Sequence, residues 1–386
     1  MSPKNNTDIH IVGGGVSGLS VGIFLARLGY NVIIFERRSI DAFAGMGFLL
    51  TPNGVAVLKR IFEETWSQEV FYHPLSALIL RDIDAQSEHS QEATEMYGIL
   101  RPPLLKRLEE LFIETGGQLR VGYDLVDVTF SQGNDPQIEA LLFKVDNEIL
   151  TVNTRFVLGA DGIHSRMRSM IFSNSKLREP LLTEFVGLSY FDGGVLPKGF
   201  EDLSHDELIK YYSPQKRQAF GFMPLCGRQY IWYAQISYSE DLPFEDGETR
   251  CQFLKKLYSQ WPSQVTSLLD RCSFERTYRW DTRDVVVMPT SYSHGVMLMG
   301  DAAHASLTIS SQGVATALED SEAFANILDT SLPDPSLLSP SDWHSVCERF
   351  DRSRLPTWLK RQADARALQD QFLNATLSGG VPFVKS

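Results

Sequence analysis

Apolar residues arrive along this chain in short unbroken runs separated by helical stripes, and that alternation predicts an α/β fold. Asp8–Val12 and Asn31–Phe35 read as buried strands, the second with Val32, Ile33 and Ile34 in a row. Parallel strands covered on both faces look like this. Ser17–Leu28 reads as a helix between them, closed by Gly29 where a left-handed residue is favoured. Leu104–Glu114 is a second helix, ended by Gly116-Gly117. Val121–Phe130, Ile138–Val145 and Ile149–Asn153 predict a β-meander with Ser131–Gln137 as its first turn. Phe156–Ala160 and Val296–Gly300 are further buried strands, and a long helix follows from about Gln312 to Leu328. Ser331–Asp342 is a Ser/Pro-rich connection, and Trp343–Phe372 predicts an amphipathic terminal helix broken near Pro356.

The pattern changes between Leu181 and Trp280. Phe185–Tyr190, Gln218–Pro224 and Tyr230–Tyr238 are aromatic-rich and strand-like, and Phe71–Asp84 resembles them. These segments predict one antiparallel sheet, in a second domain assembled from two pieces. A chain of 386 residues is too long for one compact core, so two domains are expected. The division places residues 1–70, 98–180 and 282–386 in a dinucleotide-binding domain, and 71–97 with 181–281 in a substrate domain.

Composition adds exclusions. Charged residues make up 22% and the net charge is -12, which argues against a nucleic-acid partner. Cys226, Cys251, Cys272 and Cys347 form no C-x-x-C pair and have no zinc spacing with histidine, so no metal is expected. They read as reduced thiols of a cytoplasmic protein. The polar start shows no signal-peptide core, no run is long enough to span a bilayer, and no C-terminal anchor signal is present. A monomer or homodimer is expected.

The strongest chemical signal is Gly13-Gly14-Gly15-Val16-Ser17-Gly18, between the first strand and the first helix. Gly13 suits a tight turn, Gly15 lets the backbone approach a pyrophosphate, and Gly18 lets helix and strand pack closely. Glu36 ends the second strand, near the spacing of ~20 residues expected for a ribose-binding carboxylate. It would repel a 2′-phosphate, so the site suits FAD or NAD rather than NADP. Val16, Ser17 and Arg37 complete this candidate set. A glycine-rich turn without a ligand is the competing reading.

A second motif, Val296-Met297-Leu298-Met299-Gly300-Asp301-Ala302-Ala303-His304, is a buried strand ending in Gly-Asp. A third, Gly159-Ala160-Asp161-Gly162-Ile163-His164-Ser165-Arg166-Met167-Arg168, carries an Asp-Gly step. With these in order, the sequence resembles the flavin-dependent aromatic hydroxylase family, typified by p-hydroxybenzoate hydroxylase, over most of its length. The resemblance implies FAD as cofactor and a Rossmann-like FAD-binding domain interleaved with an α+β substrate domain. It implies that Asp301, beside Gly300, binds the ribityl chain. It implies that amides opening the helix at Gln312, Gly313 and Val314 face the flavin pyrimidine, where a helix N-terminus favours negative charge. Asp161 would order the loop beside the pyrophosphate, with Ser165 and Arg168 at the usual spacings. Arg101 would contact the flavin side of FAD, and Gly45-Met46-Gly47 would pass under the isoalloxazine.

The same resemblance implies a monooxygenase cycle in secondary metabolism. NAD(P)H, with NADPH favoured, acts as a transient co-substrate. O2 is captured as a C4a-hydroperoxide, and an apolar or aromatic small molecule is hydroxylated or epoxidised. The family's Pro and Asn near the flavin are replaced here by Thr308 and Ala315, and its Gly-Gln-Gly by Ser311-Gln312-Gly313. These departures keep open a non-oxygenating reductase, dehydrogenase or cyclase, or a flavoprotein that only binds. Tyr190, Phe222 and Thr308 are the candidates near the reacting face, and the sequence shows no clear general base. Alternation pairs Phe220 with Phe222 and Tyr230 with Trp232, so each pair faces either the substrate or the core.

Overall fold

The computed structural model describes residues 8–38, 46–84, 86–172, 175–191, 199–200, 205–227, 229–242, 246–332 and 334–374. In chain order, β1 (Ile9–Val12), α1 (Val16–Arg27) and β2 (Val32–Glu36) form the first unit. β3 (Gly47–Leu50) and α2 (Pro52–Phe62) precede the hairpin β4 (Tyr72–Asp82) and β5 (Ser87–Leu100). Then come α3 (Arg101–Glu114), β6 (Gln118–Val121), β7 (Asp124–Phe130), β8 (Ile138–Val145), β9 (Glu148–Asn153), β10 (Phe156–Gly159) and α4 (Arg166–Ile171). β11 (Leu182–Tyr190), β12 (Glu207–Ser213), β13 (Gln218–Leu225) and β14 (Gln229–Ser237) lead to α5 (Gly247–Leu257), α6 (Ser263–Asp270) and β15 (Cys272–Thr282). The chain closes with β16 (Tyr292–Ser293), β17 (Val296–Leu298), α7 (Asp301–His304), α8 (Gly313–Ser331) and α9 (Pro340–Leu373).

The first sheet has strand order β16-β17-β10-β1-β2-β6, with parallel pairing throughout except between β16 and β17. Its side chains alternate between two cores. Ile9, Ile11, Val32, Ile34 and Leu158 pack with the helices. Ile33, Phe35 and Val157 pack with the meander β7-β8-β9. The expected first meander strand, Val121–Phe130, is two strands. Gly122 takes φ 84 between them, so β6 joins the parallel sheet and only β7 joins the meander.

The second sheet runs β15-β11-β14-β13-β12-β4-β5-β3. It is mixed rather than purely antiparallel, because β4 and β12, from segments far apart in sequence, pair in parallel. β3 adds a strand from residues 47–50, outside the two segments the pattern assigned to this sheet.

The terminal helix is continuous through Pro356, not broken there. A proline removes one backbone donor and crowds the preceding turn. Here Trp343, Phe350, Trp358 and Phe372 are buried along the helix on both sides of it. Arg354 and Arg361 also tie it to Glu319 at 3.0 and 2.7 Å. Among the described residues, no helix is long and apolar enough to cross a membrane.

Candidate functional site

The glycines after β1 have different reasons to be glycine. A Cβ on Gly13, at φ +109, would fall 2.3 Å from the Ala160 carbonyl oxygen, and one on Gly18 would fall 1.9 Å from the Gly13 oxygen. Both are demanded by the chain's own packing. A Cβ on Gly15 would meet nothing within 4 Å, so Gly15 borders open space. The Glu36 carboxylate spans this turn, accepting from the Gly14 amide at 2.7 Å and the Arg38 amide at 2.8 Å.

That open space is a cleft of about 320 Å³, and its walls bring together Gly13, Gly15, Glu36, Arg37, Arg101 and Asp161. Arg38, Tyr123, His164, Arg166 and Trp280 also line it, and sequence reasoning gave none of them a role. The Asp161 carboxylate is engaged within its own loop, accepting from Ser165 Oγ at 2.5 Å and from the Met167 amide at 3.1 Å. Arg168 donates to the carbonyls of Ile163 at 2.6 Å and Ala302 at 2.9 Å, so it fastens this loop to the segment after β17.

Gly300 brings the second motif against the first. It takes φ +56, and a Cβ there would lie 2.9 Å from Ser17 Oγ. Asp301 follows with its own surface open, although protein encloses it on most sides. Enclosure pushes its carboxyl upward, and His304, Arg101 and Arg168 oppose that push. Its open surface faces the recess, beside the cationic side chains of Arg101 and Arg168. Burial pushes the Arg101 guanidinium down, with Asp301 opposing. Behind this pair, His304 Nε2 donates to Asp320 at 2.6 Å, and Arg354 Nε donates to the same carboxylate at 2.6 Å. Burial would raise the Asp320 carboxyl, but His304 and Arg354 outweigh it and hold it low.

α8 starts beside Asp301. Ser311 turns the chain at φ 54, and Gln312 is an N-cap without a side-chain hydrogen bond. Val314 packs half-buried against the helical core. Thr308 is exposed at the start of the short 3-10 turn Thr308–Ser310 that precedes it. Gly47 pairs with Leu100, and a Cβ on it would lie 2.5 Å from the Ile99 oxygen. Gly45 lies outside the described residues.

The inner face of the second sheet carries Leu188, Met223, Leu225 and Ile231, with Tyr190 packed among them and with Met46 and Leu49, before and within β3, in the same cluster. Phe222 is not there. It packs with Phe185, Phe220, Tyr230 and Trp232 under α5 and α6, on the outer face. Both aromatic pairs are therefore core. Alternation fixes which residues share a face, whereas α5 and α6 decide which face is covered.

The residues present fit a dinucleotide with a polar chain. α1 begins at Gly15 with no side-chain cap and no acidic residue in its first turn, leaving its amides for an anion. Ser17 Oγ and Gln312 Oε1 are buried without a partner among the described residues. Unpaired buried polar atoms are costly, and a ligand with hydroxyl and amide groups would satisfy them.

Comparison with known proteins agrees. The family described as FAD binding domain matches residues 6–338, and the chain belongs to it. It is an FAD-dependent monooxygenase of the flavin hydroxylase kind. The 3-amino-4-hydroxybenzoate 2-monooxygenase of Streptomyces cremeus is 24% identical over 376 residues, covering 94% of this chain and 87% of that protein. The aurachin C monooxygenase/isomerase of Stigmatella aurantiaca is 23% identical over 350 residues, covering 87% and 84%. Among solved structures, CtdE with FAD and a substrate has a TM-score of 0.79 at 19% identity, covering 96% of this chain and 91% of that one. HpxO of Klebsiella pneumoniae with FAD and uric acid has a TM-score of 0.76 at 17% identity, covering 96% and 89%.

Proposed function

We propose that this protein consumes NAD(P)H and O2 to hydroxylate or epoxidise an aromatic or largely apolar small molecule in secondary metabolism. The observation that carries the reading is the Asp301 carboxylate, open to a recess at an uncapped helix start, with unpartnered Gln312 and Ser17 beside it. The names of the relatives support an aromatic substrate, since one acts on an aminohydroxybenzoate.

In this reading the amides of Gly13, Gly15, Val16, Ser17 and Gly18 hold the pyrophosphate, with Arg37 at the cleft wall. Glu36 takes the adenosine ribose and Asp301 the ribityl chain. Arg101, Gly47, Gly300, Gln312, Gly313 and Val314 surround the ring, and Asp161 keeps its loop in shape. FAD, when bound, accepts electrons from NAD(P)H and activates O2. The chain's own work is to hold FAD through Asp301 and the residues around the ring, to exclude water, and to present the substrate from the inner sheet face. Tyr190 lies on that face and Thr308 in the turn leading to α8, so both are candidates beside the reacting edge.

The test is purified protein with NADPH or NADH in air and a panel of hydroxylated and aminated aromatics. Substrate-stimulated NAD(P)H oxidation with one labelled oxygen from 18O2 in the product is expected. Product free of label would overturn the oxygenating reading in favour of a reductase or cyclase.

A further inference from the structure

One row of residues crosses the inner face of the second sheet in a way the mechanism above does not use. Lys210 on β12 is in register with Gly221 on β13, and Gly221 with Tyr233 on β14. A Cβ on Gly221 would lie 2.2 Å from Tyr233 Cζ and 2.4 Å from its hydroxyl. The missing side chain therefore lets Tyr233 lie across β13 toward Lys210, whose Nζ is 5.8 Å from the ring centroid. Lys210 Nζ donates to Gln235 Oε1 at 2.6 Å, and Gln235 Nε2 donates to Glu184 Oε1 at 2.5 Å. The charges are thus relayed through an amide instead of meeting directly.

This arrangement is costly as a purely structural device. Gln235 and Glu184 are buried, while Lys210 and Tyr233 keep part of their surface open. Leu208, Met223 and Ile231 flank the row on one side. On the other lie Tyr212 and Ala219 with Ile309, which follows Thr308 in the turn before α8. An ammonium has three donors, and among the described residues Gln235 takes one. Tyr233's hydroxyl has no hydrogen-bond partner among the described residues. Burial pushes the lysine down to about 8, with Glu184 opposing. A cation held in such a place suits an anionic oxygen arriving with an apolar body.

We infer that Lys210 and Tyr233 bind the ionised hydroxyl of an aromatic substrate, with Gln235 and Glu184 as positioning residues. The inference rests on the monooxygenase reading and names its substrate class: a hydroxyarene or enol taken as its anion. The hydroxyl proton passes to solvent, and the anionic oxygen pairs with the ammonium. Negative charge on that oxygen enriches the ring positions that an electrophilic oxygen attacks.

The experiment titrates the FAD-loaded full chain with 4-nitrophenol and with the near-isosteric 4-nitrotoluene, following the phenolate absorbance. The wild type should bind nitrophenol as the anion and prefer it to nitrotoluene. Lys210→Met should weaken nitrophenol by about tenfold to a hundredfold and nitrotoluene by less than about threefold. Lys210→Arg should restore most of the anion binding. Should Lys210→Met fail to hold FAD, Tyr233→Phe, which removes one hydroxyl, should weaken the anion alone by about threefold to tenfold. Equal loss of both ligands in these variants, or no anion preference in a wild type that retains FAD and NAD(P)H-driven O2 uptake, would overturn this inference alone. A chain that retains no FAD would overturn the monooxygenase reading and this inference together.

Discussion

A Cβ placed on Gly313 would find a carboxylate oxygen of Asp301, 3.8 Å away, as its nearest neighbour. Twelve residues apart in sequence, a strand-end aspartate and a helix start thus border the same opening. The carboxylate supplies an acceptor, and the helix supplies free amides and the positive end of its dipole.

Asp301→Ala should abolish that acceptor. The chain should still fold, because among the described residues the carboxylate takes no hydrogen bond of the native fold, and Arg168 reaches only backbone oxygens there. Losing hydrogen bonds to a charged group costs about 1.5–3 kcal/mol, so FAD affinity should fall about tenfold to a hundredfold. Flavin stoichiometry after gel filtration checks this, and undiminished flavin would count against the role of Asp301.

The glycine pair Gly15 and Gly18 should separate ligand from fold. Gly15→Ala meets no protein atom within 4 Å and should leave the flavin-free protein within about 0.5 kcal/mol of wild type, yet lower FAD affinity. Gly18→Ala forces a contact at 1.9 Å and should destabilise the protein itself by about 1–3 kcal/mol. Chemical denaturation of both apo variants, beside their flavin content, reads the difference.

Phe222→Ala should act on stability. The side chain is 1% exposed in the outer-face core, so about 3–5 kcal/mol should be lost. Met223→Ala, one residue along on the inner face, should instead alter substrate-dependent NAD(P)H oxidation. Similar effects from the two would contradict the assignment of faces.

His10 should make the protein acid-sensitive. Burial holds its imidazole down at about 4, with its Nδ1 2.7 Å from Thr154 Oγ1. The unfolded chain takes up the proton first, near the ordinary value of about 6.5. The stability it contributes is therefore complete above that value and is lost as pH falls toward 4. The difference amounts to about 3 kcal/mol. Urea unfolding at pH 7 and at pH 4.5 should show a smaller acid loss in His10→Asn than in wild type; equal losses would refute the assignment.

Much of this architecture was readable because glycine and strand-end acids carry local signals. Gly13, Gly15 and Asp161 each sit in a strand–turn–helix context that a window of sequence contains, Glu36 ends the strand that follows the first such helix, and all four meet at the cleft. The same holds for Gly300-Asp301, whose strand joins β10 in parallel. Other features depended on tertiary context. β5 is polar over residues 87–95, where its side chains are mostly exposed, so that stretch shows no apolar alternation. Pro356 resembled a helix break because the packing that carries α9 past it comes from α8, distant in sequence. Lys210 gave one hint, a charge inside the run Leu208-Ile209-Lys210-Tyr211-Tyr212, but its partners lie on other strands.

The parallel pairing of β4 with β12 has a consequence for biosynthesis. Arg81 is in register with Tyr211, 130 residues later, so this edge of β4 waits for most of the intervening chain to be made. During that interval Leu78 and Leu80, later buried, flank a row of unpaired backbone groups, a template for the wrong strand. Premature termination between residues 100 and 205 should therefore yield chains prone to aggregate, and slower elongation should prolong the hazard.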